Sequence, residues 1–235
     1  MLIVEFNVIQ KARFQMTDLS SLFPPSVIIT IASNEMWSTP LCTEEEQLIE
    51  GAVEKRQREF RAGRNAAHAI LNQLNAPSGP ILRGEKRQPT WPAGFLGSIT
   101  HCRERCVVAC TKKGDLLSLG LDVEPLSPLS KGIARYIDTP EETQFKLQHE
   151  TLPARLFFSA KESLYKCYYP LIGRYFGFQS INLNFDLSRQ RFQFTPTSAC
   201  TIRFPENLIF HGRYQVDDKH LYTSCFLTQK QTGLP

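Results

Sequence analysis

Residues 157–170 read FFSAKESLYKCYYP, and residues 118–125 read SLGLDVEP. The first stretch sets Lys161, Glu162 and Lys166 among aromatic and small residues that belong in a core. The second is an apolar run of strand character, interrupted by Asp122 and Glu124. Alternate side chains of a strand share a face, so Asp122 and Glu124 point one way while Leu121 and Val123 point the other. Carboxylates in apolar surroundings are costly unless something neutralises them. The three acids are therefore either an expensive burial or parts of one site. The fold decides which, by whether it brings Glu162 near the strand pair.

The chain has 235 residues, 42% apolar and 21% charged, with a net charge of +4. That length suffices for one large or two small domains with a proper core. The charge permits an anionic ligand, but no stretch approaches a polybasic arm, so nucleic acid is not indicated. No run reaches the roughly 18 apolar residues of a membrane span. The start, MLIVEFNVIQKAR, lacks a basic n-region and carries Glu5, which makes it a poor secretory signal. Seven cysteines without disulfide-like regularity point to free thiols and a cytoplasmic location.

Along the chain, SVIITIA reads as a strand. In TEEEQLIE, Thr43 with Glu46 makes a capping-box pattern that predicts a helix start. Helical periodicity then runs to about Leu74 with a break near Gly51. It has an apolar stripe of Phe60, Ala67, Leu71 and Leu74 and a basic remainder of Lys55, Arg56, Arg58, Arg61 and Arg64. Residues 97–124 read as two strands joined near Lys113–Gly114. A second capping-box pattern spans Thr139 to Glu142. The tail, from SINLNFDL through LYTSCFLTQ, alternates like several antiparallel strands. Aligning Ala62 with Ala160 lays EFRAGRNAAHAIL over FFSAKESLYKCYY, with Phe60 on Phe158 and Arg64 on Glu162. This short repeat predicts an α+β protein of two similar halves, each a helix on a small antiparallel sheet, with a site between them.

Two carboxylates about 7 Å apart on one strand face repel unless a cation sits between them, and hard oxygen ligands suit Mg²⁺. By itself the pair reads first as a solvent-facing feature at a strand end. Lys166 lies at i+4 from Glu162, the spacing of an ordinary helix ion pair. Arg56 and Arg64 on the helix, with Arg83, Lys86 and Arg87 in the next loop and His101 after SIT, would suit a ligand with several phosphates. Arginines on a helix are otherwise a solvated face. Cys102, Cys106 and Cys110 lack the paired spacing of a zinc site and read as core thiols.

Four motifs, KRQREFRAGRNAA, RGEKRQPTWPAGFLGSITHC, GLDVE and FFSAKESLYK, occur in an order and spacing that resembles the Sfp-type 4′-phosphopantetheinyl transferases. The branch most like it is that of enterobactin synthetase component D. The motifs span residues 55–170. The resemblance implies transfer of the phosphopantetheine arm of coenzyme A to a serine of an apo acyl, peptidyl or aryl carrier protein. Adenosine 3′,5′-bisphosphate would be released, Mg²⁺ required and two α+β halves present, here 1–120 and 121–235. It further implies that Asp122, Glu124 and Glu162 hold the metal, and that Glu162 is the favoured base. Asp122 and Lys166 would assist the reaction, with Lys161 and Lys166 on phosphate oxygens. Arg56, Arg64, Arg83 and Lys86 would bind the nucleotide end, and Thr100 and His101 the phosphates. A monomer in fatty-acid, polyketide, nonribosomal-peptide or siderophore biosynthesis is expected.

Two other readings use the same residues. A Mg²⁺-dependent nucleotide or pyrophosphate hydrolase would employ the carboxylates with water as acceptor, although no G-x-x-x-x-G-K-[ST] loop is present. A non-catalytic module would dock an acidic protein on the basic helix and need neither coenzyme A nor metal.

Overall fold

In the computed structural model, which describes residues 17–114 and 116–230, the alternating stretches form two antiparallel sheets. The first has the order β1 (Ile28–Ile31), β3 (Arg105–Lys112), β2 (Phe95–Cys102). The second has the order β4 (Leu116–Pro125), β8 (His220–Gln229), β7 (Leu208–Val216), β6 (Arg191–Pro196), β5 (Ile181–Asp186). The described α-helices are α1 (Thr43–Gln47), α2 (Glu54–Gln73), α3 (Lys131–Ile137), α4 (Pro140–Gln148) and α5 (Leu156–Ile172). α2 lies on the first sheet and α5 on β4 and β8 of the second. This is the expected α+β architecture of two halves, with the second sheet the larger. Ala62 and Ala160, the aligned pair of the internal repeat, are both fully buried. The N-terminal stretch read as a poor secretory signal lies outside the described residues.

Strand periodicity sorts the core into three layers. On β3, Val107 and Ala109 face the second sheet, while Val108 and Cys110 face α2 with Ala66, Ala67, Ile70 and Leu71. On β4, Leu119, Leu121 and Val123 join the inter-sheet core. An aromatic core beneath α5 holds Phe157, Tyr168, Phe176, Phe192, Phe210 and Tyr214. The two sheets meet where β2 runs beside β4. Here side chains replace a backbone ladder: Ser98 Oγ accepts from the Leu121 N–H (3.0 Å) and Thr100 Oγ1 from the Val123 N–H (3.2 Å). Two donors on the open edge of β4 are thereby satisfied, as buried N–H groups must be.

Several local readings need correcting. Residues 97–124 contain three strands, because Arg103 and Glu104 make a two-residue hairpin turn with none of the usual turn residues. Thr100 and His101 consequently sit within β2. Cys102 lies on β2 while Cys106 and Cys110 lie on β3, the latter two fully buried. Thr43 is not a cap: Cys42 occupies that position, and Glu46 accepts from the Leu41 N–H and pairs with Arg61 at 2.7 Å. The second capping box is present in full, with Thr139 Oγ1 accepting from the Glu142 N–H and Glu142 accepting from the Thr139 N–H. Gly51 has a φ of 72°, the left-handed geometry that breaks helical periodicity between α1 and α2. β4 pairs with β8 from Leu116 to Pro125, with an irregularity between Leu116 and Ser118, so the chain changes sheets before Leu116.

Gly120 fixes the height of α5 over β4. A Cβ there would run into the Ser163 carbonyl and stand 2.6 Å from the Cys167 nitrogen. Backbone rests on backbone at this point, which sets the acids of β4 against the polar side chains of α5. Gly120→Ala is expected to destabilise the fold by about 1–3 kcal/mol or more, because the clash meets backbone atoms. A urea midpoint unchanged from the parent would refute this account of the helix position.

Candidate active site between the two halves

Asp122 is the best-anchored acid. It is 5% exposed, and its Oδ1 accepts from Thr100 Oγ1 (3.0 Å) and Lys166 Nζ (2.7 Å), its Oδ2 from Ser159 Oγ (2.8 Å). One carboxylate thus ties β4 to β2 and to two turns of α5. Lys166 also donates to the Leu121 carbonyl at 3.1 Å. Ser159, which the sequence reading did not single out, is itself braced by Thr223.

Glu124 and Glu162 are less well compensated. Burial, followed by the charge of Asp122, pushes Glu124 up to about 7 despite its 2.9 Å bond from Arg155. Burial also raises Glu162; Lys166 opposes the rise and Asp122 adds to it. Among the described residues none donates a hydrogen bond to the Glu162 side chain. An acid so placed is suited to accept a proton or to meet a cation. Arg155 was another residue missed, since nothing in its spacing signals a partner 31 positions away.

Lys161 does not join this group. It is 1% exposed, and its Nζ donates to Glu142 Oε2 (2.7 Å), the Ile137 carbonyl (2.8 Å) and the Phe178 carbonyl (2.8 Å). All three ammonium donors are occupied by protein acceptors, which corrects the reading of Lys161 as a phosphate ligand. Adjacent helical residues point about 100° apart, so Lys161 faces α4 while Glu162 does not.

The basic residues gather around Phe60. The guanidinium carbons of Arg64 and Arg83 lie 4.6 and 4.9 Å from its ring centroid. Burial first, then repulsion from Arg83 and Arg56, lowers Arg64 to about 10 even with Glu45 opposing. Burial, Arg56 and Arg87 likewise lower Arg83. This is a cluster of cations short of counter-charge, a receptive site for an anion. Arg56 donates to His101 Nε2 at 3.1 Å, so a neutral His101 carries its proton on Nδ1, facing Glu59 at 3.7 Å. Burial lowers His101, with Glu59 and Asp122 opposing and Arg56 and Lys166 adding to it, and the ring touches both the basic cluster and an acid.

A cleft of about 630 Å³ opens between the halves, lined by Lys86, Arg87, Trp91, Ser98, Tyr165 and Lys166 among others. Lys86 and Arg87 sit in a tight turn closed by Gly84 and Gln88, with Arg87 at a φ of 65°. The donor set of Asp122, Glu124 and Glu162 fits a hard divalent cation in chemistry, since two of the three are destabilised by burial and by Asp122. Among the described residues no three such groups are already arranged as a ligand cluster. Mg²⁺ commonly takes only one or two carboxylates and fills its shell from substrate phosphates and water. No described helix is long and apolar enough to cross a membrane.

Two α+β halves, one carrying a basic cluster around Phe60 and the other a group of acids beside Lys166, are the arrangement that the resemblance to the phosphopantetheinyl transferases implies. Family models bear this out: one described as the 4′-phosphopantetheinyl transferase N-terminal domain matches residues 44–111, and one described as the 4′-phosphopantetheinyl transferase superfamily matches residues 118–219. The chain is 34% identical to the 4′-phosphopantetheinyl transferase PptT of Mycobacterium tuberculosis, over 83% of its own length and 86% of that protein's. It is 37% identical to the 4′-phosphopantetheinyl transferase Npt of Nocardia iowensis, over 61% and 65% of the two chains. With enterobactin synthase component D of Salmonella typhi it shares 35% identity over 51% of each. The chain belongs to the 4′-phosphopantetheinyl transferase superfamily, a family of enzymes.

Two measurements test the electrostatics. Glu124 holds its proton more tightly folded than at its ordinary value of 4.5. Its contribution is therefore fully present below about pH 4.5 and is lost as pH rises through about 7. Between pH 5 and 8, metal-free Glu124→Gln should lose less stability than the parent in matched thermal melts; parallel curves would contradict this. Lys161→Met leaves a buried carboxylate unpaired and should cost about 3–5 kcal/mol in urea unfolding. An unchanged midpoint would return Lys161 to the list of free ligands.

Proposed function

We propose that the protein transfers the 4′-phosphopantetheine arm of coenzyme A to a serine hydroxyl of an apo carrier protein, releasing adenosine 3′,5′-bisphosphate. The observation that carries this is the division of the site: arginines around Phe60 that outnumber their carboxylate partners on one side, and Asp122, Glu124 and Glu162 on the other. Coenzyme A has matching parts, a phosphorylated nucleotide at one end and a pyrophosphate leading to a flexible arm. Arg56, Arg64, Arg83 and Lys86 hold the nucleotide end, and Lys166 and His101 lie beside the pyrophosphate.

In the reaction the serine oxygen bonds to the phosphorus that carries the arm, and the bond from that phosphorus to the bridging oxygen breaks. The electron pair leaves with adenosine 3′,5′-bisphosphate. Glu162, raised by burial, takes the serine proton directly or through a water, an assistance of about 10²–10⁴-fold. Lys166, held by Asp122 and Thr100, offsets negative charge growing on the phosphate oxygens. Asp122, Glu124 and Glu162 would hold Mg²⁺, which when bound supplies neutralisation of the pyrophosphate. Ser159 and Arg155 steady the first two of these acids.

Both the basic cluster and the acids come from one chain, which supports a monomer as the working unit. Seven free thiols favour a reducing compartment such as the cytoplasm. The relatives named enterobactin synthase component D support a carrier in siderophore assembly; fatty-acid, polyketide and nonribosomal-peptide carriers are the other members of the class to offer.

The test incubates the protein with coenzyme A, MgCl₂ and several apo carriers, and reads intact carrier mass. A gain of one phosphopantetheine, abolished by chelator, is expected. Glu162→Gln should lower kcat by about 10²–10⁴-fold while coenzyme A still binds, and Arg83→Ala should instead raise the KM for coenzyme A. Coenzyme A cleaved with no carrier gaining mass would favour the hydrolase. Folded protein that neither binds coenzyme A nor changes any carrier would overturn the assignment.

A further inference from the structure

Outside the residues already assigned to the site, Glu45 on α1 is a buried acid with several donors. It is fully buried. Its Oε1 accepts from the Ile81 N–H at 2.8 Å, and both its oxygens lie 2.9–3.0 Å from His68 Nε2. Cys42 Sγ adds a longer contact at 3.5 Å. Arg64 Nε stands 3.8 Å from the same Oε1 and donates to the Ile81 carbonyl at 2.8 Å. The Ile81 residue is thus gripped from both sides: its N–H by Glu45, and its carbonyl by Arg64. Carboxylate, main chain and guanidinium close a ring.

Two residues further on, Arg83 reaches the Phe60 ring that Arg64 also covers. Its segment is pinned by the bridge to Pro89 and by the Thr90 N–H on the Leu82 carbonyl. Arg56, Arg64 and Arg83 repel one another, and without counter-charge they would splay before any ligand arrives. Glu59 stands beside Arg56 at 3.7 Å. Among the described residues Glu45 is the acid paired with Arg64.

We propose that Glu45 is a positioning residue for the anionic end of the ligand, holding Arg64 directly and Arg83 through Ile81 over the face of Phe60. The ligand never meets this carboxylate, which acts by pre-assembling the cations that do. Pre-organisation of this kind shows up in affinity, because the ordering cost is met before binding. The inference rests on the coenzyme A reading above, in which the basic cluster receives the phosphorylated ribose, and adds to it only the role of Glu45.

The experiment measures dissociation constants by calorimetry for coenzyme A and 3′-dephospho-coenzyme A, with kcat and KM alongside. Glu45→Gln keeps the shape and removes the charge. It should weaken coenzyme A about 10-fold, the range of a lost charge-assisted bond, with KM rising and kcat within about 2-fold. The dephosphorylated ligand should change by less than about 2-fold. Glu45→Asp keeps the charge but draws it back one methylene. Should the glutamine variant fail to fold, the aspartate variant should still weaken coenzyme A more than its dephosphorylated form. His68→Gln removes another partner of the same carboxylate, on a separate cleft lined by Cys42, Asn65 and Asn72, and should leave both ligands unchanged. Equal affinities in the parent and the Glu45 variants would overturn the proposal. So would equal losses for both ligands, or a His68→Gln loss matching that of Glu45→Gln, since either would mean general scaffolding. Because the readout is binding, a parent that binds coenzyme A yet transfers nothing would strike the reaction assigned above and leave this comparison standing.

Discussion

The Asp122 carboxylate is where the architecture converges. Thr100 from the first half, and Ser159 and Lys166 from α5, all donate to it. Its strand takes two further bonds from β2 hydroxyls. A buried acid is tolerable only with such compensation, and hydrogen bonds to a charged acceptor are stronger than neutral ones. The consequence is directional. Satisfying Asp122 fixes α5 against β4, and that helix then carries Glu162 into a small recess beside Tyr165, Tyr175 and Phe178 with no donor of its own. Among the described residues Glu162 is left without a donor, and Glu124 keeps only Arg155 against the burial that raises it.

The long helices of the two halves carry opposite electrostatic problems. α2 brings cations together around an aromatic ring, and α5 with β4 brings carboxylates together around Lys166. Each cluster is locally unfavourable, and each is held by packing remote from it: Gly120 under α5, and Glu45 with Ile81 beneath Arg64. Folding energy from the apolar layers is used to keep like charges close, a common feature of sites that await a charged ligand.

Much of this was legible in the sequence because period alone fixes it. Alternation on SLGLDVE separated Asp122 and Glu124 from Leu121 and Val123, and that sorting is what β4 displays. The alignment of Ala62 with Ala160 found the two helices that carry the site. What could not be read were relations decided by rotation or by distance along the chain. Lys161 and Glu162 are neighbours in a motif, yet only the docking of α4 shows that the lysine is taken by Glu142. Of the three consecutive glutamates after Thr43, the capping pattern drew attention to Glu46, whereas burial selected Glu45. The hairpin at Arg103–Glu104 has charged residues where a glycine or asparagine usually announces a turn, so a strand was undercounted. Ser159 and Arg155 gave no signal, since a hydroxyl or a guanidinium reveals its partner only in three dimensions.

The seam between β2 and β4 has a consequence for anyone who would divide the molecule. Cut in the turn near Lys113–Gly114, each half would retain its own helix and sheet, yet β4 would present main-chain donors with the Ser98 and Thr100 hydroxyls gone. An uncovered strand edge beside newly bared Leu121 and Val123 is a template for pairing with other chains. Neither piece would then be a well-behaved module, and each would act as the other's chaperone. The two halves resemble duplicated units in plan, but the hydroxyl seam makes them obligate companions within a single polypeptide.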